Sequence, residues 1–424
     1  MAKEKRKTVR TEEQQRSKKI LSFSSEPETE QPRPRRKFGW LVILALLAVI
    51  AIIVVTHLYQ IRSYNDYEVI SRVENSDATR MSYAAYNGSL IKYSQEGISY
   101  LDRLGELVWV EGYKMKQPVA VISDEYIAVA DLNGNSVYIF NEEGKVSYLE
   151  MPYTICNVDV ASQGVFAVVL ENETENFIEL YDKNGRNIVE MRTTIADSGY
   201  PLDIALSNDG SKLISSYITV DGITIRNSIA AYNFGDVGQN ETDRLVGGFN
   251  NLDDTIVPKV EFLNNDTICA FGDNQFIFYS MKEKPSEKSK ITDLNNEIQS
   301  IFYNSKYVGI VENLASSDVS EAEEKERSQY RLRVFDTNGN VRFSKSLNFT
   351  YHTIYATEKE IIIVGASESR IYDFHGNLKF SYSFPREVKN IIPTGLPQRY
   401  IVVYDDATEL IRLQYTKEED EEVQ

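Results

Sequence analysis

Histidine, cysteine and tryptophan are nearly absent from this chain: its 424 residues hold three His, two Cys and two Trp. Two cysteines cannot build the framework of a disulfide-rich secreted domain. Cys156 and Cys269 lie in the apolar runs ICNVDV and TICAF, and read as small buried hydrophobes on strands two blades apart. With so little His, and with no HxxxH or CxxC spacing, a zinc site is not expected. No GxSxG elbow is present, and a Ser or Cys nucleophile lacks an obvious base. DLNGNS, residues 131–136, alternates oxygens like a calcium loop, but its Gly falls at the fourth position and no closing Glu follows. A plain turn is expected there. No Gly-rich phosphate loop is present, and GDVGQN reads as a hairpin. Carboxylates are abundant, so a paired-carboxylate glycosidase stays open, although no spacing singles out a pair. The sequence therefore predicts no metal, no cofactor and no catalytic residue, and a protein that is not an enzyme.

Basic residues are also outnumbered, 46 against 63 acids, for a net charge of -17. The imbalance is uneven. Residues 1–37 hold 12 Lys and Arg against 6 Asp and Glu, about +6, which leaves about -23 on the rest. A body this acidic argues against nucleic acid, whose phosphates need a basic face.

Long uncharged runs are missing with one exception. FGWLVILALLAVIAIIVVTHL, Phe38 to Leu58, contains no Asp, Glu, Lys or Arg. As a helix it would extend about 31 Å, enough to cross the hydrocarbon core. Trp40 and Tyr59 stand at its ends, where amphipathic rings favour the interface, and Arg33, Arg35, Arg36 and Lys37 crowd its N-terminal side. The positive-inside rule predicts an uncleaved signal anchor in the cell membrane, with a cytoplasmic N-terminus and an exported C-terminal part. Residues 1–37, charged and Pro-containing, are expected to be disordered; their basic cluster could also touch anionic lipid. Residues 59–66 form a short linker, 67–415 the main domain, and 416–424 an acidic disordered tail.

What the main domain has is a repeat. LDRLG, FNEEG, YDKNG, FDTNG and YDFHG each end one apolar strand and start another, and YNFG is a looser copy. Where tight, the spacing is about 37 to 41 residues, the period of a propeller blade. Each motif is a hairpin turn. Asp102, Asn141, Asp182, Asp336 and Asp373 accept backbone N–H groups, while Gly105, Gly144, Gly185, Gly339 and Gly376 take the positive φ of a type I turn with a G1 bulge. These acids are thus expected to be structural. Seven full blades follow, at 79–112, 117–150, 153–192, 200–247, 255–291, 296–347 and 350–384. Residues 388–413 supply about three more strands, and Tyr67 to Val73 supplies the fourth, because joining both chain ends leaves no open edge. The expected fold is all-β, a β-propeller of eight blades, with seven as the alternative count, preceded by one transmembrane helix. Residues 313–330, rich in Ser, Glu and Lys, should form a mobile loop within the sixth blade.

LSNDGSKL and the acid–glycine hairpins resemble the blades of WD40-like and quinoprotein-like β-propellers over 67–415. With its N-terminal anchor, the chain is similar to membrane-anchored bacterial envelope propellers of unassigned function. It departs from the pattern in having no WD dipeptide, no SxDxGxTW box, no vicinal cysteines and one Trp, Trp109, beyond the anchor. The resemblance implies a fold and no activity; a quinone site would need the missing Trp and Cys. The expected function is a non-enzymatic binding or scaffold module for an envelope or exported protein. The alternative is a sensor or enzyme for a glycan or small ligand in the funnel, which converging carboxylates or aromatics from different blades would support.

Overall fold

The computed structural model describes residues 43–51, 63–75, 81–194, 198–250, 252, 255–314 and 329–416. The chain divides into two units, Met1–Gln60 and Ile61–Gln424. In the first, residues 43–51 are helical and exposed. Among the described residues no helix is long and apolar enough to cross a membrane. The rest of the 38–58 run, the flanking Arg35, Arg36, Lys37, Trp40 and Tyr59, the basic leader, the bulk of the 313–330 insertion and the 417–424 tail lie outside the described residues.

The second unit is a β-propeller of eight four-stranded antiparallel sheets. Seven are built from consecutive strands, within 82–112, 118–150, 154–194, 200–249, 259–291, 297–347 and 353–383. The eighth takes three strands from 390–414 and its outermost strand, Asp66–Glu74, from the other end of the domain. That strand pairs with Ala407–Gln414 from Asp66↔Gln414 to Glu74↔Ala407.

Burial explains the sequence pattern. Each blade is covered by a neighbour on both faces, so its second strand needs no polar side. Ile127–Asp131 and Glu360–Val364 are buried at every position. Successive residues of such a strand serve two different interfaces. Ile127 and Val129 pack toward blade one, Ala128 and Ala130 toward blade three. Eight apolar clusters result, one between each pair of adjacent blades.

The hairpins joining third to fourth strands carry the acid–glycine motif. Asp102 Oδ1 accepts the N–H groups of Leu104 at 2.8 Å and Glu106 at 2.9 Å. Asp182, Asp336 and Asp373 accept the corresponding pairs. Gly105, Gly185, Gly339 and Gly376 have φ between +79° and +85°, and a further bulge follows each in the fourth strand, where the register skips Val108, Ile188, Arg342 and Lys379. Asn141 begins a shorter turn. Its Oδ1 accepts one N–H, from Glu143, and Gly144 sits at φ +125°. The GDVGQN segment is not a simple hairpin: two 3-10 turns, Asp236–Gly238 and Thr242–Arg244, lengthen that connection. Its Gly235 keeps a negative φ, -85°, which explains why the motif is degenerate there.

Candidate functional site

The hairpins between first and second strands bond to one another around the ring. Asn87 of blade one donates to Asp124 O at 2.5 Å, and Ser162 of blade three donates to Asp124 Oδ2 at 3.0 Å. The Asp209 N–H donates to Asn265 Oδ1 at 3.0 Å, Asn264 to Ser305 O at 3.1 Å, and Ser305 Oγ to Glu358 Oε2 at 2.7 Å. These turns surround the mouth of a central channel of about 1270 Å³, lined from the inner strands of all eight blades.

One wall of the channel is ionisable. Asp159, Asp203 and Glu261 come from the inner strands Thr154–Val160, Tyr200–Leu206 and Lys259–Asn264 of three successive blades. Asp159 accepts the N–H of Val160 at 2.9 Å and, across the blade boundary, that of Leu206 at 2.6 Å. Asp203 repeats the step: it accepts from Asn157 Nδ2 at 2.7 Å and from the N–H of Val260 at 2.8 Å. Glu261 Oε2 pairs with Lys259 Nζ at 3.2 Å and accepts from the Tyr303 hydroxyl at 2.5 Å. Burial, then the nearby Glu261 charge, pushes Asp159 up to about 8. Asp203 is also raised, by burial, with Lys259 opposing. Burial would lower Lys259, but Glu261 and Asp203 outweigh it and its pKa is raised.

A second group repeats this chemistry. Glu360 pairs with Lys379 and accepts from the Tyr400 hydroxyl at 2.8 Å, with Lys379 Nζ 5.5 Å from the Tyr400 ring centre. Burial and then Glu360 hold Tyr400 well above its usual range. Both groups offer a Lys, a carboxylate and a phenol to the channel, a set that can bind hydroxyl or amine groups. The sequence motifs above do not single out these residues. The available signal was a polar residue inside an otherwise apolar inner strand, NVDV, PLDI and KVEF in successive blades.

The residues considered for other chemistry are engaged elsewhere. Asp131 Oδ1 accepts the N–H groups of Lys116 and Gln117 at 2.9 and 2.7 Å. Trp109 stacks on Phe140 at 5.4 Å and donates to Glu142 O. His352 places its ring nitrogens 3.0 Å from Thr353 Oγ1 and 2.9 Å from Val388 O. The two cysteines are free; Cys269 is buried, whereas Cys156 is only partly so. Cys156 Sγ lies 3.2 Å from Glu171 Oε2, and burial with that carboxylate pushes its thiol up to about 11, too high for a reactive thiolate. Among the described residues no cluster of three or more His, Cys, Asp or Glu could hold a metal.

A family model described as "Family of unknown function (DUF5711)" matches residues 60–413. No curated protein matches the sequence. Among solved structures the chain is similar to Saccharomyces cerevisiae Sqt1, at 11% identity and a TM-score of 0.54, covering 84% of this chain and 100% of that one. It is similar to Chaetomium thermophilum Sqt1 bound to the N-terminus of the ribosomal protein L10, at 9% identity and a TM-score of 0.54, covering 82% and 100%. BamB from Moraxella catarrhalis aligns at 11% identity and a TM-score of 0.46, covering 82% and 100%. At these identities the likeness concerns the fold.

Proposed function

This chain belongs to the family of unknown function DUF5711, and we propose that it is a membrane-anchored, non-enzymatic binding module. Residues 38–58 cross the membrane with the N-terminus in the cytoplasm. The propeller lies outside and holds an envelope or exported protein. One observation carries the binding role: the closed ring bonds its channel carboxylates to neighbouring backbone and side chains, which leaves the outer surface of a rigid platform for recognition. The fold supports such use in general, since the Chaetomium Sqt1 structure contains a bound segment of ribosomal protein L10. Anchoring is supported by the uncharged 38–58 run behind Arg33, Arg35, Arg36 and Lys37.

Deleting 38–58 is expected to move the chain from the detergent-extracted membrane fraction to the soluble fraction. Protease added outside intact cells should degrade the propeller of the full chain. A full chain that is soluble, or shielded from external protease, contradicts the topology. Cross-linking in membranes should give an adduct with the full chain and none with residues 1–62 alone; equal adducts from both would remove the binding role.

The convergence of Asp159, Asp203, Glu261, Lys259 and Tyr303 favours a second reading, a small polar ligand in the channel. A thermal-shift screen of neutral saccharides and amino acids separates the two. A hit lost in Glu261→Gln supports the channel ligand, and no hit leaves the outer surface as the recognition element.

A further inference from the structure

Exposed large apolar side chains on the eight outermost strands are concentrated on two neighbours. Leu107, Val108 and Val110 of blade one are 62%, 52% and 68% exposed, and Val69, Ile70 and Val73 of blade eight are 45%, 43% and 44% exposed. The other six outer strands expose four such residues between them, Tyr148, Ile188, Leu245 and Val341. Blades eight and one meet where the two ends of the domain close the ring.

The register shows which of these side chains face the seam. Leu107 lies opposite Leu101, which packs toward blade eight, and Val110 lies opposite Ser99, two residues before it on the same face. From the other side, Ser71 lies opposite Leu410, which packs toward blade one, and Val73 opposite Thr408. Blades diverge outward, so the outer part of each interface needs a bulky side chain to fill it. Trp109, Phe249, Phe343 and Tyr382 do this at four other interfaces. At the seam the corresponding strand offers Ser71 and Val73, and the cluster beneath has six buried residues against nine or more elsewhere. Among the described residues the outer part of the wedge is open and lined by Leu107, Val110 and Val73, while deeper in Lys92 and Thr408 both donate to Asn75 Oδ1, at 2.6 and 3.2 Å.

The strand Leu107–Gly112 pairs with Gly97–Leu101 on one side only among the described residues, so its outer edge presents free backbone groups. Six of the other seven outer strands carry Lys or Arg, which discourages added strands, as in SEKSKI and VRFSKSL; LVWVEG and the Gly-rich LVGGF of blade four carry neither, and of these two only LVWVEG exposes three large apolar side chains. On the blade-two side of this edge, Glu142 and Glu143 are exposed, and with Glu106 they enter no ion pair among the described residues. A strand added here would turn alternate side chains to an apolar wedge and to an acidic rim.

We infer that the seam between blades eight and one is a strand-addition site for an extended partner segment that alternates apolar with Lys or Arg residues. The inference rests on the binding-module function and names its partner's chemistry. The probe is a fluorescein-labelled, end-capped peptide of alternating Val and Lys, titrated against the full chain in detergent by anisotropy. Saturable binding is expected, weakened about tenfold by Val110→Lys and by Leu107→Lys, the scale of one interface anchor. Both positions are exposed, and unchanged melting midpoints confirm folding. Alternating Val–Glu and Pro-interrupted peptides should bind at least about tenfold more weakly, and the bound Val–Lys peptide should slow amide exchange at 107–112. Absent saturation, equal affinity in both variants, or no protection at 107–112 overturns the site. So does a concentration-dependent dimer abolished by Val110→Lys, because the occupant would then be a second copy. If the membrane cross-link persists in Val110→Lys, the binding module stands and this site does not.

Discussion

A chain beginning at Asn75, and so lacking the strand Asp66–Glu74, is expected to lose cooperative unfolding and to aggregate. That strand closes the ring. It pairs along the whole of Ala407–Gln414 and brings Tyr67 to 4.9 Å from Tyr382 and 5.4 Å from Phe384. It also brings Arg72 to 3.2 Å from Glu409 and 3.1 Å from Asp406. Glu409 is almost wholly enclosed, with 5% of its side chain exposed, and shares its carboxylate with Arg386 at 2.5 Å. Removing the strand exposes the edge of Ala407–Gln414 and uncovers Ile411 and Leu413, which belong to the core between blades seven and eight. A domain of this kind holds a total stability on the order of 5–15 kcal/mol, and losing a full strand with its aromatic and ionic contacts is of comparable size. Thermal circular dichroism and sedimentation test this. A truncated monomer melting within a few degrees of the full chain would show that closure is dispensable.

The second large effect is a loss of stability between about pH 4 and pH 8. Asp159 is raised to about 8 in the fold, chiefly by burial and then by Glu261, against an unfolded value near 3.9. Across that interval the folded state binds more protons than the unfolded one, so stability falls as pH rises. The contribution is complete below the unfolded value and is lost as pH passes about 8. Asp203, also raised, acts in the same direction. Groups near Asp159 include Glu261, Lys259 and Tyr303, together with the N–H groups of Val160 and Leu206. Lys259 is raised from 10.5 and titrates above this window. Asp182 is lowered, chiefly by the Arg186 N–H, so its contribution is lost only as pH falls below the ordinary Asp range. Urea midpoints at pH 5 and pH 8 should therefore differ clearly in the native chain and much less in Asp159→Asn. The variant forfeits one acceptor oxygen at every pH, so the difference between the two midpoints is the measurement. Parallel pH profiles for the two chains would remove Asp159 as the source.

The hairpins were legible because each is local. An acid accepting N–H groups two and four residues on, followed by a glycine at positive φ, occupies five consecutive positions, and nothing distant alters it. Repetition of that unit implied a ring, and the unpaired apolar segment at the start of the domain implied how it closed. The channel was only half legible. Asp159, Asp203 and Glu261 each interrupt an apolar strand visibly, but their convergence depends on three inner strands meeting around an axis.

The seam was hidden for a different reason. LVWVEG looks like any other strand of a blade, since blades are normally covered on both faces and their sequences lack a clear polar side. By itself, the amino-acid order determined the fold class, the blade period, the turn chemistry and the charge asymmetry, because those follow from contacts within a few residues. Tertiary structure alone decided that Leu107 and Val110 stay exposed and that carboxylates from separate blades share one channel. The channel depends on three inner strands of successive blades meeting around an axis, and the seam on residues hundreds of positions apart: Arg412 bonds Glu68 across 344 residues, and no local pattern encodes how well the faces brought together there will fill the space between them.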